Sequence, residues 1–241
     1  MTLIERYKSD KNAVILEKKT AIKYADAICV NNHKVIKSDI VSRELVINTT
    51  NYLDSHGDVH MKGIWNKSVK DKKNFYLLQE HKMTFENIIE SNVPAKVKEY
   101  SFKELGYDSD MTTEALVFEA VISPRNKFMY EQYKNGYVTN HSVGMQYVKI
   151  EFCVNSGDEF YKEEKSNWDK YISDVANRED AENLGYFWAV LEAKIIEGSA
   201  VPIGSNPITP TIEPSNDTQN NKSAALSTDE MIQIFKKSLN I

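Results

Sequence analysis

Ser142 is the side chain in this sequence whose neighbours best suit covalent chemistry. It lies in Tyr137-Val-Thr-Asn-His-Ser142-Val-Gly-Met145, where a hydroxyl and a glycine stand at the start of a long apolar and polar alternation. A serine attacks a carbonyl carbon only if a general base removes its proton and hydrogen-bond donors bind the oxyanion. Because Ser-x-Gly also suits a serine that simply starts a strand before a glycine, the other members of a site must be found elsewhere in the chain.

His81 and Glu197 are the candidate partners of this serine. His81 ends the apolar stretch 74–81, where a strand is expected to run out. An imidazole with a pKa of about 6.5 is a suitable general base for a hydroxyl group. Glu197 follows the apolar stretch 185–196, and a carboxylate there could fix the imidazole tautomer and stabilise the imidazolium. A solvated histidine and a surface glutamate at strand ends are the structural alternatives.

The residues next to Ser142 have separate expected roles. The backbone N–H groups of Val143 and Gly144 are the candidate oxyanion donors. His141 is poorly placed to be the base, because adjacent residues of a strand point to opposite faces. We expect His141 to pack against the protein or to lie near solvent.

A second constellation, Asp54-Ser-His56-Gly-Asp58-Val-His60, could support a metal-dependent hydrolase instead. Alternate residues of an extended segment share a face, so up to four oxygen and nitrogen ligands could converge there. Gly57 and the flanking polar residues favour an irregular loop with Asx-type turns, and no further histidine cluster follows to complete a hydrolytic site. On this basis no metal site is predicted.

Composition narrows the class of protein. The chain has 241 residues, 41% of them hydrophobic, and a net charge of −5, which suits one sizeable core. Lysine and arginine are scattered rather than striped, so no nucleic-acid partner is predicted. No apolar run approaches the ~18 residues of a membrane span, and the N-terminus lacks the apolar core of a signal peptide. Cys29 and Cys153 lie in apolar runs and are expected to be buried free thiols in a reducing compartment.

Residue periodicity predicts an α+β fold. Strands are expected over 25–36, 40–49, 74–81, 112–122, 142–155 and 185–196, and helices over 65–73, 125–135 and within 157–183. Ser123-Pro124 is predicted to begin the second helix, because serine caps free N–H groups and proline suits the first helical position. Strands that are mostly neighbours in sequence favour an antiparallel β-barrel or a strongly bent sheet, surrounded by helices.

Charge and turn composition divide the chain into a core and two ends. Residues 1–20 are expected to be an N-terminal arm, and residues 21–213 a single domain with a charged helical insertion at 157–183. Residues 214–241 are predicted to form a flexible polar linker followed by a short amphipathic helix that begins at a capping box. That helix could pack on the domain or dock on a partner.

Four stretches, taken in order, resemble the prohead maturation proteases of tailed bacteriophages, a family similar to the herpesvirus assemblin proteases. They are Asp54-Ser-His-Gly-Asp58-Val, Leu77-Leu-Gln-Glu-His81, Gly136-Tyr-Val-Thr-Asn-His-Ser142-Val-Gly-Met145 and Ile196-Glu197-Gly-Ser199-Ala-Val-Pro202-Ile-Gly-Ser-Asn206-Pro. The resemblance spans roughly residues 25–213. The chain departs from the family pattern in the longer spacing between Pro202 and Asn206 and in the longer segment 157–183.

The resemblance implies a serine endopeptidase with an assemblin-like fold, a mostly antiparallel barrel ringed by helices. It implies Ser142 as nucleophile, His81 as proton shuttle and Glu197 as the orienting acid, without a cofactor. It also implies a homo-oligomer inside the immature capsid, in the host cytoplasm, that cleaves segments of the scaffold or major capsid protein and itself. A non-enzymatic capsid assembly or scaffold protein is the remaining alternative.

Overall fold

Residues 41–212 are the part of the chain that the computed structural model describes. The predictions for the N-terminal arm, the strand at 25–36, Cys29, the linker and the C-terminal amphipathic helix lie outside these residues. Within the described residues, no helix is long and apolar enough to cross a membrane.

Within residues 41–212, eight strands form one large sheet. They are β1 (Val41–Thr49), β2 (Asp58–His60), β3 (Asn74–Gln79), β4 (Ile88–Ser101), β5 (Thr112–Ile122), β6 (His141–Val154), β7 (Tyr186–Ala200) and β8 (Thr211–Ile212). The strand order is β2-β7-β3-β4-β5-β1-β8, and β6 pairs with β7. Because β6 follows β7 along its whole length, β2 and β3 share the other edge of β7.

Four α-helices of the described part of the chain accompany the sheet: α1 (Asn66–Asp71), α2 (Lys127–Lys134), α3 (Lys162–Tyr171) and α4 (Arg178–Leu184). The last two lie in the connection between β6 and β7, in the segment predicted to be helical. They are anchored by buried side chains such as Trp168, which packs on Phe187 of β7 with ring centroids 5.2 Å apart. Burying side chains of this size stabilises the fold by about 1.5–3 kcal/mol each.

The fold is a mixed α/β arrangement with an open sheet, so the barrel expectation is wrong for the described residues. Five of the seven strand pairings are antiparallel, whereas β2–β7 and β3–β7 are parallel. Among the described strands, β8 pairs only with β1 and β6 pairs only with β7, so no pairing closes the sheet.

Strand β4 is the longest of the strands that sequence patterning left unassigned, the others being β2 and β8. It continues through Pro94, a residue that cannot donate to a ladder and that normally argues against a central strand. The structure explains this exception, because β4 pairs with β3 up to Pro94 and with β5 from Ala95 onwards. Proline therefore occupies the point where β4 changes partner.

The second helix begins later than predicted. Ser123 and Pro124 do not start it; α2 begins at Lys127, after an Asn126 cap whose side-chain oxygen accepts from the Met129 N–H at 3.1 Å. The Ser123 N–H donates instead to Glu90 on β4 at 2.6 Å. The Ser-Pro pair therefore forms part of the turn that leads from β5 into α2.

The main apolar core lies on the face of the sheet where Leu45, Ile47, Trp65, Phe75 and Phe118 are completely or almost completely buried. Cys153 is a buried free thiol in the smaller cluster beneath α3 and α4, as predicted. Burial raises its thiol pKa to about 12, so it stays protonated and unreactive.

Candidate active site

The pairing of β6 with β7 places Ser142 on the same side of the sheet as Glu197. Ser142 lies opposite Ser199, and Gly144 lies opposite Glu197. Directly opposite residues of neighbouring strands project to the same face, as do residues two apart on one strand. Two strands thus present a hydroxyl, a carboxylate and a second hydroxyl on one surface.

His81 reaches this surface through a strained turn after β3. Strand β3 runs parallel to the end of β7, and the next two residues, Glu80 and His81, adopt left-handed φ angles of 53° and 56°. Such angles cost non-glycine residues roughly 1–2 kcal/mol each. Two hydrogen bonds hold the turn: the Glu80 N–H donates to the Ala200 carbonyl at 2.9 Å, and the His81 N–H donates to Ser199 Oγ at 3.0 Å.

The imidazole and the carboxylate are joined directly. His81 Nδ1 lies 2.7 Å from Glu197 Oε1, and Ser199 Oγ donates to Glu197 Oε2 at 2.6 Å. Glu197 is buried, whereas the His81 side chain is 41% exposed. A buried carboxylate with both oxygens engaged holds the ring by Nδ1 and leaves Nε2 as the nitrogen that can exchange a proton.

The candidate nucleophile lines the same cavity as these two groups. The cavity measures about 320 Å³, and its walls include Ser142, His81 and Glu197. Ser142 Oγ and His81 Nε2 make no hydrogen bond to any residue of the described part of the chain. Nucleophile–base hydrogen bonds are often long without substrate and tighten when it binds.

Strand β7 is longer than the sequence indicated, and this changes the setting of Glu197. The strand was expected to end at residue 196, but it continues to Ala200, so the carboxylate projects from within the sheet and is 2% exposed. Glu197 is therefore neither at the end of the strand nor at the surface. Val143 and Gly144 also line the cavity, and their role as oxyanion donors stays a prediction.

Sequence reasoning missed how two residues, Ser199 and Gly144, hold the Glu197 carboxylate in place. Ser199 bridges Glu197 and the His81 backbone, and Gly144 leaves the space that the carboxylate fills. The Glu-x-Ser spacing on a strand was the available indication, because residues two apart share a face. The need for glycine at position 144 depends on register with β7, which the sequence does not reveal.

The 54–60 loop lines the same cavity and brings three of its four candidate metal ligands together. Ligand atoms of Asp54, Asp58 and His60 all lie within 4.8 Å of one another, and all three residues are buried. His56 is exposed and lies outside this group. Asp54 Oδ1 accepts from the N–H groups of His56 and Asp58 at 2.8 and 3.0 Å, which is the predicted Asx-type turn. Burial and the neighbouring Asp58 raise the pKa of Asp54.

His141 is packed inside the protein, which is one of its two expected settings. Its Nε2 lies 3.1 Å from the Tyr133 hydroxyl and its Nδ1 lies 3.1 Å from the Thr209 carbonyl. Complete burial lowers its pKa to about 4, although the Thr209 hydrogen bond acts in the opposite direction. The ring is therefore neutral at pH 7 and supports the start of β6 directly beside Ser142.

His141 should make stability fall in acid. A side chain with a pKa of 6.5 when unfolded and about 4 when folded favours the folded state fully above pH 6.5 and loses that contribution as pH falls towards 4. At 1.36 kcal/mol per pKa unit, the loss is about 3 kcal/mol. The measurement is the free energy of unfolding of the wild type and His141→Gln from pH 7 to 4. The other titrating groups are the same in both proteins, so their contributions cancel in the difference between the two free energies. That difference should shrink by about 3 kcal/mol as the pH falls from 7 to 4. A difference that does not change with pH would contradict the proposed effect of His141.

Comparison with known proteins gives no match: no family model, no curated protein and no solved structure is similar to this chain. Chemically, the cavity offers a hydroxyl and an imidazole held by a buried carboxylate. A nucleophile and a general base of an acyl-transfer site are of these types.

Proposed function

We propose that this chain is a serine endopeptidase that works by acyl transfer. The observation that carries the proposal is the 2.7 Å contact between His81 Nδ1 and the buried Glu197 carboxylate, in a cavity that Ser142 also lines. A carboxylate–imidazole pair of this kind fixes the ring tautomer and orientation that a serine nucleophile needs, and it stabilises the imidazolium that forms. The chain order histidine, serine, acid is the one that the phage protease resemblance implies.

In the proposed reaction, Ser142 Oγ attacks the peptide carbonyl carbon while His81 Nε2 takes the hydroxyl proton. Glu197 stabilises the imidazolium, and the backbone N–H groups of Val143 and Gly144 bind the oxyanion. Collapse of the tetrahedral intermediate breaks the C–N bond, and His81 gives its proton to the leaving amine. Water then repeats the sequence on the acyl-enzyme, so that Ser142 and a free carboxylate are released.

Within this reaction class, we propose a prohead maturation protease that cleaves segments of phage scaffold or major capsid protein and its own chain. The support for this proposal is the ordered set of four sequence stretches. The fold adds no support, because the described sheet is open and the family resemblance implies a barrel. Two of those stretches carry His81 and Ser142, and a third carries Glu197 with Ser199. The proposal includes a homo-oligomer located inside the immature capsid in the host cytoplasm.

A fluorophosphonate probe tests the nucleophile without knowledge of the substrate, since it phosphonylates activated serines. We expect one label per chain, located by peptide mass spectrometry on Ser142, and complete loss of the label in Ser142→Ala. Ser205→Ala is the matched control, because Ser205 also lines the cavity and should leave labelling unchanged. Absence of labelling in the wild type, or equal labelling of both variants, would contradict the assignment.

Intact-mass spectrometry at high protein concentration tests peptide cleavage itself. Terminal segments should be lost from the wild type and kept by Ser142→Ala, and the cut sites would give the sequence specificity.

A metal-dependent hydrolase using Asp54, Asp58 and His60 is the second candidate, because these ligand atoms converge in the same cavity. It predicts the opposite pattern, with trimming that a chelator stops and that Ser142→Ala leaves intact.

A further inference from the structure

We propose that Asp54, Asp58 and His60 form a binding site for one divalent cation of the Zn²⁺ class, separate from the groups that act on the peptide bond. The proposal does not depend on peptidase activity. The role of the cation is to fix the 54–60 loop in the wall of the cavity that Ser142 and His81 line.

The three side chains converge although they are not neighbours in a regular strand. Asp58 and His60 belong to β2, whereas Asp54 is brought back to them by the turn at Ser55–Gly57. One ligand atom from each lies within 4.8 Å of the other two. Two buried carboxylates this close repel each other when ionised, and a cation between them turns that repulsion into attraction.

The fold holds at least one oxygen of each carboxylate. Asp54 Oδ1 accepts two backbone N–H groups, and Asp58 Oδ2 accepts the Tyr147 hydroxyl at 2.5 Å. Hydrogen bonds of this kind fix the rotamers of ligating carboxylates. The contact with Tyr147 also ties the loop to β6, five residues beyond Ser142, so that a cation would brace the loop against the strand that carries the nucleophile.

Asn48 supplies the second and independent observation. It is 2% exposed and lines the same cavity, and its amide oxygen is buried without a hydrogen-bond partner among residues 41–212. Its amide nitrogen lies 3.0 Å from His60 Nδ1. A half-turn of the amide would place the oxygen at His60 Nδ1, where it accepts the ring proton. His60 then carries its lone pair on Nε2, which is the tautomer and the supporting hydrogen bond of a metal-ligating histidine.

The ligand set selects the class of cation. One imidazole and two carboxylates suit Zn²⁺, which takes nitrogen and oxygen ligands in four-coordinate sites. Ca²⁺ requires six to eight oxygen ligands, and Mg²⁺ demands octahedral oxygen coordination. A buried site with a histidine ligand should therefore discriminate in favour of Zn²⁺.

The test uses the full chain carrying Ser142→Ala, so that self-cleavage does not enter and failure of the peptidase proposal leaves the result readable. Chelator-treated protein is titrated with Zn²⁺ by calorimetry, and its Tm is measured with Zn²⁺, Ca²⁺ or Mg²⁺. We expect one Zn²⁺ per chain and a Tm increase of about 5–10 °C at free Zn²⁺ about 100 times Kd. Ca²⁺ and Mg²⁺ at the same concentration should leave the Tm unchanged.

Matched substitutions locate the ion. His60→Gln should weaken Zn²⁺ binding by at least about 100-fold, whereas His56→Gln in the same loop should leave it unchanged. Asp58→Asn keeps an acceptor for the Tyr147 hydroxyl and should also weaken Zn²⁺ binding. It replaces His60→Gln as the test if that variant does not fold. His81→Gln tests a competing site beside Glu197 and should retain binding. Absence of Zn²⁺ binding in the parent, or its loss in His81→Gln but not in His60→Gln and Asp58→Asn, overturns the proposal.

Discussion

Gly144→Ala should lower the rate of fluorophosphonate labelling at Ser142 by at least about 100-fold, although the alanine adds only one methyl group. A Cβ at position 144 would lie 1.9 Å from Glu197 Oε1 and 2.8 Å from its Cδ. That oxygen is the one that contacts His81. The carboxylate must therefore leave the imidazole, or β6 and β7 must separate at the site.

The surroundings of Glu197 make a harmless adjustment difficult. The side chain is buried, and its Oε2 accepts a hydrogen bond from the Ser199 hydroxyl. The same hydroxyl oxygen accepts a hydrogen bond from the His81 N–H. Moving the carboxylate breaks this connection and removes the support of the left-handed turn that presents the ring. The variant should therefore lose reactivity while it keeps its sheet, which far-UV circular dichroism and the Tm would show.

Two other glycines serve as matched controls for Gly144→Ala. A Cβ at position 157 would meet no atom of the described residues within 4 Å, so Gly157→Ala should label at the wild-type rate. Gly198 lies opposite Val143, and a Cβ there would lie 2.7 Å from the Phe118 ring in the main core. Gly198→Ala should accordingly lower the Tm. Wild-type labelling by Gly144→Ala would show that the carboxylate contact is not needed for reactivity.

Periodicity predicted the strands that carry the site, because each has a clear alternation or an apolar run. Strand β5 has the predicted bounds, and the ends of β1 and β6 differ from the predicted ones by no more than one residue. Patterning failed where tertiary pairing overrides local preference. Strand β4 passes through Pro94 at its change of partner, and β7 extends through the buried Glu197 because β3 and β6 pair with it there.

The candidate site was predictable in its residue types but not in its geometry. Ser142, His81 and Glu197 were chosen from the sequence, and the structure places them around one cavity. The dependence on Gly144 and Ser199 follows from the cross-strand register of β6 and β7, which no single-strand pattern contains. The open sheet likewise depends on which strands end without a partner, a long-range property that neighbouring residues do not determine.

Glu197→Gln should reduce the labelling rate by about 10³–10⁴-fold without a comparable loss of stability, because glutamine has nearly the same shape. The buried negative charge that stabilises the imidazolium is removed. Ser199 also decides how the amide is oriented: its hydroxyl donates to Oε2, so it favours the glutamine oxygen at that position. The amide nitrogen then faces His81 Nδ1 and donates to it, which puts the ring proton on Nε2 and blocks transfer from Ser142.

Glu192→Gln is the matched control for Glu197→Gln, since it makes the same change on the same strand. Glu192 pairs with Lys67 at the surface, 2.7 Å away, and its loss should change labelling by less than about twofold. Labelling by Glu197→Gln at the wild-type rate would show that the carboxylate does not orient His81 for catalysis.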